Sequence, residues 1–311
     1  MREYRNGRLL GHAAALMTGL VLMACNRTAP PVATTTAWAP PPDSLIPDDS
    51  LGAAIRRGQA ILRDTRDSLP DYATSSLNCT SCHLGDGRQV GAAPLIGVVA
   101  RFPKYLGRAG AVIPIEDRIN YCFTRSLAGR RLPNHSREMQ DIVAYLAFLS
   151  QGLPVGTVPE GLGIPAIPVL QGDSARGHGL YDTTCAACHG ATGGGDPAQR
   201  APALWGAASF SIGASMARIE RAASFIRHNM PFNAPGTLTD QQAWDIAAYI
   251  DRQPRPDMPG KEEDWPFGGA PDGVPYATAG RVPSEPPVLL PRPDSEAALV
   301  PVPERASRRE R

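Results

Sequence analysis

The chain has 311 residues, 42% of them hydrophobic, and a formal net charge of +1. That length supports one large core or two small ones, and the near-neutral charge excludes a nucleic-acid binder working through a basic surface. Aromatic residues make up only 6% while glycine and proline together number 63, so much of the chain is expected in loops, and something other than aromatic side chains must fill its cores.

Arg2, Arg5 and Arg8 precede the apolar run from Leu9 to Ala24, a basic region followed by a stretch too short for a membrane span. Residues 1–24 therefore read as an export signal. Leu22-Met23-Ala24-Cys25 resembles the lipobox of bacterial lipoproteins, in which the cysteine becomes the lipidated first residue. On that reading Cys25 anchors a periplasmic protein to a bacterial membrane; the other reading is an ordinary cleaved signal with an incidental cysteine. Residues 25–48, rich in Thr, Pro and Ala, suit a flexible tether.

A first folded domain is expected over 49–151. Leu51, Ile55, Ile61 and Leu62 predict a helix ahead of Cys79-Thr80-Ser81-Cys82-His83, and Met139, Ile142, Val143, Leu146 and Leu149 predict another over about 136–150. Residues 152–172 are Pro/Gly-rich and lack periodicity, as a linker would. A second domain, 173–254, repeats the order. Asp173 caps a segment through Leu180 and Tyr181, Cys185-Ala186-Ala187-Cys188-His189 follows, and a helix over about 240–252 closes it, with Thr239 and Gln242 as a capping box. The first cysteine of each motif precedes the tyrosine of its closing helix by 66 residues (Cys79 to Tyr145) and 64 residues (Cys185 to Tyr249), so the halves match. Residues 255–276 are again Pro/Gly-rich, and 277–311 have no periodic face and are expected to be disordered.

C-x-x-C-H is the attachment motif of heme c. Its two thiols add across the heme vinyl groups, and the adjacent histidine is then placed to bind the iron. Two copies predict two covalently bound hemes c, through Cys79 and Cys82 with His83, and through Cys185 and Cys188 with His189. A zinc ribbon would need its cysteine pairs far closer together, and a redox-active C-x-x-C pair would not call for the histidine twice. The order predicts an all-α protein of two domains like class I cytochromes c, whose hemes supply the core that few aromatics cannot.

Each iron needs a sixth ligand. Met230 follows His189 by 41 residues and precedes Pro231; Cys122 follows His83 by 39, with no methionine between Cys82 and Cys122. Met230 and Cys122 are the candidates, with His228 and His135 as their rivals. With one cysteine for lipid and four for heme, Cys122 has no obvious disulfide partner, and an exposed thiol would be liable to oxidation outside the cytoplasm.

The segments NCTSCHLGDG, APLIGVVARFPKYLGRAG, IEDRINYCFTRSLAG and FIRHNMP, with DWPFGGAPDGVPY near the C-terminus, resemble the diheme thiosulfate dehydrogenases. The resemblance implies that a His/Cys-ligated heme is where two thiosulfates are joined into tetrathionate, and that a His/Met-ligated heme passes electrons onward to a soluble or membrane-associated cytochrome or other high-potential acceptor. Cys122 matches the family's ligand cysteine, and Arg108, Arg118 and Ser126 match its substrate-site positions. Some members carry a lysine before the methionine; here that place is Asn229.

Between Asp86 and Arg131 eight Lys/Arg face three acids, which favours an anionic ligand. Arg108 and Arg118 are expected to hold it, whereas Arg101, Arg125, Arg130 and Arg131 are assigned to heme propionates or water. A transient adduct between Cys122 and the first thiosulfate, attacked by the second, is the expected route. Three other readings remain at this point: a non-catalytic electron-transfer cytochrome, a tetrathionate reductase, and another sulfur enzyme akin to the cysteine-ligated cytochromes of the bacterial sulfur-oxidising complex.

Overall fold

The computed structural model describes residues 39–283 and 287–290; Cys25, the export signal and most of the tail lie outside them. Its helices are α1 (Ser50–Arg63), α2 (Thr65–Ser68), α3 (Leu84–Gly87), α4 (Ile115–Tyr121), α5 (Arg137–Phe148), α6 (Ser174–Thr184), α7 (Ala186–His189), α8 (Ile219–Asn229) and α9 (Asp240–Asp251). The chain is predominantly helical, as expected, with one unforeseen antiparallel hairpin of β1 (Lys104–Leu106) and β2 (Ala111–Ile113). No described helix is long and apolar enough to cross a membrane.

Local chemistry sets the helix ends. Asp49 caps α1 by accepting from Gly52 N, Ser136 caps α5 by accepting from Met139 N, and Asp173 accepts from Ala175 N and Arg176 N at the start of α6. Thr239 and Gln242 form the full capping box of α9. Leu51 departs from its predicted role: it points outward, 57% exposed, while Ile55, Ile61 and Leu62 face the core.

The two halves use one packing device twice. α1 crosses α5, and α6 crosses α9, at a glycine: a Cβ on Gly58 would stand 2.0 Å from Asp141 O, and one on Gly177 1.9 Å from Asp245 O. Such contact requires glycine. The residue before each glycine, Arg57 or Arg176, grips the buried carboxylate of the same aspartate with Nε at 2.8 Å or less. Tyr145 and Tyr249 lie one turn beyond those aspartates and would crowd the same Cβ positions.

The first core joins Ile55, Leu62, Phe123, Met139, Tyr145 and Leu146, and the second joins Tyr181, Trp205, Ala223, Trp244 and Ile246. Phe210, Ala214 and Ala217, from the second half of the sequence, pack into the first core. Residues 39–48, expected within the tether, also lie against it: Ile46 is buried there, and Asp43 binds Gln59 and Arg88. A third cluster of Ile212, Met258, Trp265, Val274 and Tyr276 is built largely from the Pro/Gly-rich C-terminal segment.

Candidate functional site

Cys122 begins a π-turn, Cys122–Ser126, that continues directly from α4. The helix places Arg118 one turn earlier, and its Nη1 donates to Cys122 Sγ at 3.1 Å. Asn120, fully buried, ties the turn to the following loop by donating to Leu132 O and accepting from Leu132 N. Phe123, the next residue, is buried in the first core, while Cys122 is half-buried.

The sulfur has an unusual electrostatic setting. Burial alone would push the Cys122 thiol up, but the Arg118 charge, together with a hydrogen bond and charge from His83, brings it down to about 6. Cys122 and His83 are thus close enough to interact. It also lies near Cys79 and Cys82, whose own thiols burial pushes up to about 12.

These residues fit a heme c. His83 Nδ1 donates to Ala93 O at 2.6 Å, and His189 Nδ1 donates to Pro202 O at 2.9 Å. A carbonyl can only accept, so Nδ1 carries a proton in both rings and Nε2 is the nitrogen each would offer a metal; at His83 the metal would take the place of the contact with Cys122. Burial also holds His189 below the usual imidazole range, in its neutral, ligating form. Beside the second motif, Met230 ends α8, half-buried against the second core, with His228 one turn position away. His228 Nε2 is buried without a hydrogen-bond partner among the described residues, a polar atom that a bound cofactor could satisfy. His135, the rival to Cys122, is exposed. Met258 belongs to the third cluster, and His178 is exposed and stacks on Tyr249.

Asn229 closes the gap between the halves. Its amide donates to Gly91 O at 3.0 Å and accepts from Gln89 Nε2 at 3.1 Å, both in the loop beyond His83. Next to it Leu84, Ala92, Phe225 and Met230 share one apolar cluster, so the residue after His83 and the candidate ligand of the second half adjoin a common wall.

The structure separates the predicted arginines. Arg118 stands at Cys122, whereas Arg108 is engaged elsewhere: its Nε binds Asp264 at 2.8 Å, and its Nη2 donates to Gly213 O and Tyr276 Oη. Ser126 ends the π-turn, half-buried. Two cations that sequence reasoning left aside join Arg118. Burial and then the Arg118 charge push Arg101 down; burial and then Arg101 and Arg118 push Lys104 down. None of the three forms an ion pair among the described residues, while Arg88, Arg125 and Arg131 each hold a carboxylate. The signal in the sequence was the local excess of positive charge; which members of it are already neutralised depends on the fold.

Two helical units with C-x-x-C-H motifs, each with Nε2 as the nitrogen its histidine would offer a metal, define a c-type cytochrome. A family model described as SoxA/TsdA, cytochrome c domain, matches residues 71–155, and one described as cytochrome c matches 174–253. The chain is 45% identical over 239 residues, 75% of its length and 73% of the relative's, to the thiosulfate dehydrogenase of Psychrobacter arcticus. It is 44% identical over 253 residues, 78% of its length and 92% of the relative's, to that of Allochromatium vinosum. The solved thiosulfate dehydrogenase (TsdBA) of Marichromatium purpuratum superposes with a TM-score of 0.67 at 33% identity; the match covers 71% of this chain and only half of that one. This chain belongs to the thiosulfate dehydrogenase family of c-type cytochromes.

Proposed function

We propose that this protein oxidises two thiosulfate ions to one tetrathionate beside Cys122. Two covalent hemes c would be held here, one by Cys79, Cys82, His83 and Cys122, the other by Cys185, Cys188, His189 and Met230. The observation that carries this reading is the Cys122 sulfur, opposite His83 with Arg118 Nη1 at 3.1 Å and its thiol brought down to about 6. A non-catalytic electron carrier has no use for such a sulfur.

Arg118 keeps Cys122 charged, and Arg101 and Lys104 supply the positive field that brings two dianions together. Arg108 has Nη1 left for a sulfonate oxygen, and the Ser126 hydroxyl is a second donor. The Cys122 thiolate, released from the metal it would hold, and the sulfane sulfur of the first thiosulfate form an S–S bond, and the two electrons lost would pass to the bound hemes. The sulfane sulfur of the second thiosulfate then attacks the outer sulfur of that adduct, which forms tetrathionate and returns Cys122 as thiolate. Two bound hemes would supply a one-electron acceptor each, enough for what one turnover releases. The Cys122 thiolate would lower, and the Met230 thioether would raise, the potential of an iron each held, which would favour electron flow to the second half and on to a cytochrome or other high-potential acceptor. The protein works in the periplasm, anchored through a lipid on Cys25.

The test is a stoichiometric assay of the heme-loaded protein, in which ferricyanide reduction and tetrathionate formation are followed together. The reading expects two ferricyanide reduced for each tetrathionate formed. Heme-loaded protein that makes no tetrathionate between about pH 4 and pH 8 contradicts it.

A further inference from the structure

The π-turn that carries Cys122 is held from outside its own half. Arg125, three residues after Cys122, is buried and lies over the ring of Tyr121, 3.9 Å from its centroid. Its carbonyl accepts from Ser211 N at 3.1 Å and Ser211 Oγ at 2.7 Å, and its Nη2 donates to Asp264 Oδ1. The other oxygen of Asp264 accepts from Arg108 Nε at 2.8 Å and Tyr276 Oη at 2.7 Å. One carboxylate, only 4% exposed, thus balances two arginines from two different loops of the first half.

The C-terminal segment brings that carboxylate into place. Trp265 N donates to Arg108 O at 2.9 Å, the Trp265 ring lies under the Arg108 guanidinium at 4.6 Å, and Trp265 and Tyr276 close the third cluster with Ile212 and Met258. Gly213 fits between Met258 and Arg125, where a Cβ would stand 2.1 Å from Met258 Sδ. A π-turn has poorer intrinsic hydrogen bonding than an α-helix and persists where its surroundings hold it. Without the carboxylate, two arginines would be left close together and unbalanced, and the turn would lose its outer restraint.

We propose that Asp264 is the positioning residue of the Cys122 turn: its grip on Arg125 and Arg108 holds the sulfur in ligating position, so the C-terminal segment completes a site built by the first half. This rests on Cys122 being an axial ligand. A carboxylate is required there for its charge, since two cations converge on it.

The experiment compares the heme-loaded full chain with Asp264→Asn, Asp264→Glu and Cys122→Gly, using the paramagnetic-resonance signal of thiolate-ligated low-spin iron and the absorbance of the His/Met heme. Wild type is expected to show the thiolate signal and Cys122→Gly to lack it. In Asp264→Asn the signal is expected to fall to about half or less and tetrathionate formation to drop roughly 10- to 100-fold. The His/Met absorbance should be unchanged, which shows that the second half is folded and loaded, and Asp264→Glu should keep most of the signal. A native thiolate signal in Asp264→Asn overturns the positioning role while leaving Cys122 as ligand. Wild type without that signal overturns the ligand assignment and this proposal with it. Because the signal is read without substrate, the positioning role stands or falls separately from the tetrathionate assay.

Discussion

Arg118 Nη1 donates to Cys122 Sγ at 3.1 Å, a contact made within a single turn of one helix. The guanidinium is the charge that overcomes burial at the sulfur. A charge-assisted bond of this kind contributes roughly 1.5–3 kcal/mol, so Arg118→Gln is expected to lower kcat/KM for thiosulfate by about 10- to 100-fold. Arg118→Lys, which keeps charge without the planar fork, should fall between. Steady-state kinetics on heme-loaded variants checks this, and a kcat/KM in Arg118→Gln within twofold of wild type would count against the contact.

Arg101 and Lys104 add positive charge near Arg118, with no carboxylate partner among the described residues. Attraction of a dianion by such a field is screened by salt. Wild-type kcat/KM is therefore expected to fall steadily as ionic strength rises from about 0.01 M to about 0.3 M, and Lys104→Gln and Arg101→Gln should flatten that dependence. Equal slopes in all three proteins would remove these residues from the site.

The glycine crossings give a stability prediction with an internal control. Gly177→Ala places a methyl 1.9 Å from Asp245 O, and is expected to cost about 1–3 kcal/mol or more. Gly179, two residues along the same helix, has nothing within 4 Å, and Gly179→Ala is expected to stabilise by about 0.5–1 kcal/mol through helix propensity. Urea unfolding followed by circular dichroism distinguishes the two signs.

Asp251 supplies a pH dependence. Burial pushes its carboxyl up to about 7 against the pull of Arg255 at 3.4 Å, and its Oδ2 has no hydrogen-bond partner among the described residues. The unfolded chain ionises this group near 3.8, so between 3.8 and about 7 the folded state binds the extra proton. Its contribution therefore falls as pH rises through that window, by at most about 1.4 kcal/mol per unit, and is flat above it. Subtracting the unfolding free energies of Asp251→Asn from those of wild type, measured at several pH values, isolates this slope; no difference in slope contradicts the assignment.

Much of this was legible because the chemistry is local. C-x-x-C-H, the capping box at Thr239 and the N-cap of α6 are short-range signals, and both caps lie where the spacing put them. The pairing of Cys122 with Met230 came from comparing two halves of one chain. Partners far apart in sequence were not legible. The joint grip of Arg108 and Arg125 on Asp264, more than 130 residues on, lies in a segment whose composition suggested only a loop. Ile46 was missed because the isolated pair Leu45-Ile46 among prolines and aspartates has no period to read. The short hairpin at Lys104 escaped for the same reason, since three-residue strands fall below any alternation pattern.

Tetrathionate formation by heme-loaded Cys122→Gly, measured beside wild type at equal heme content, tests the central claim most directly. If the Cys122 sulfur is the site of S–S bond formation, the variant keeps both hemes and loses at least about 10³-fold in rate. A variant that keeps both hemes and more than about a tenth of the wild-type rate would place the chemistry somewhere other than at Cys122.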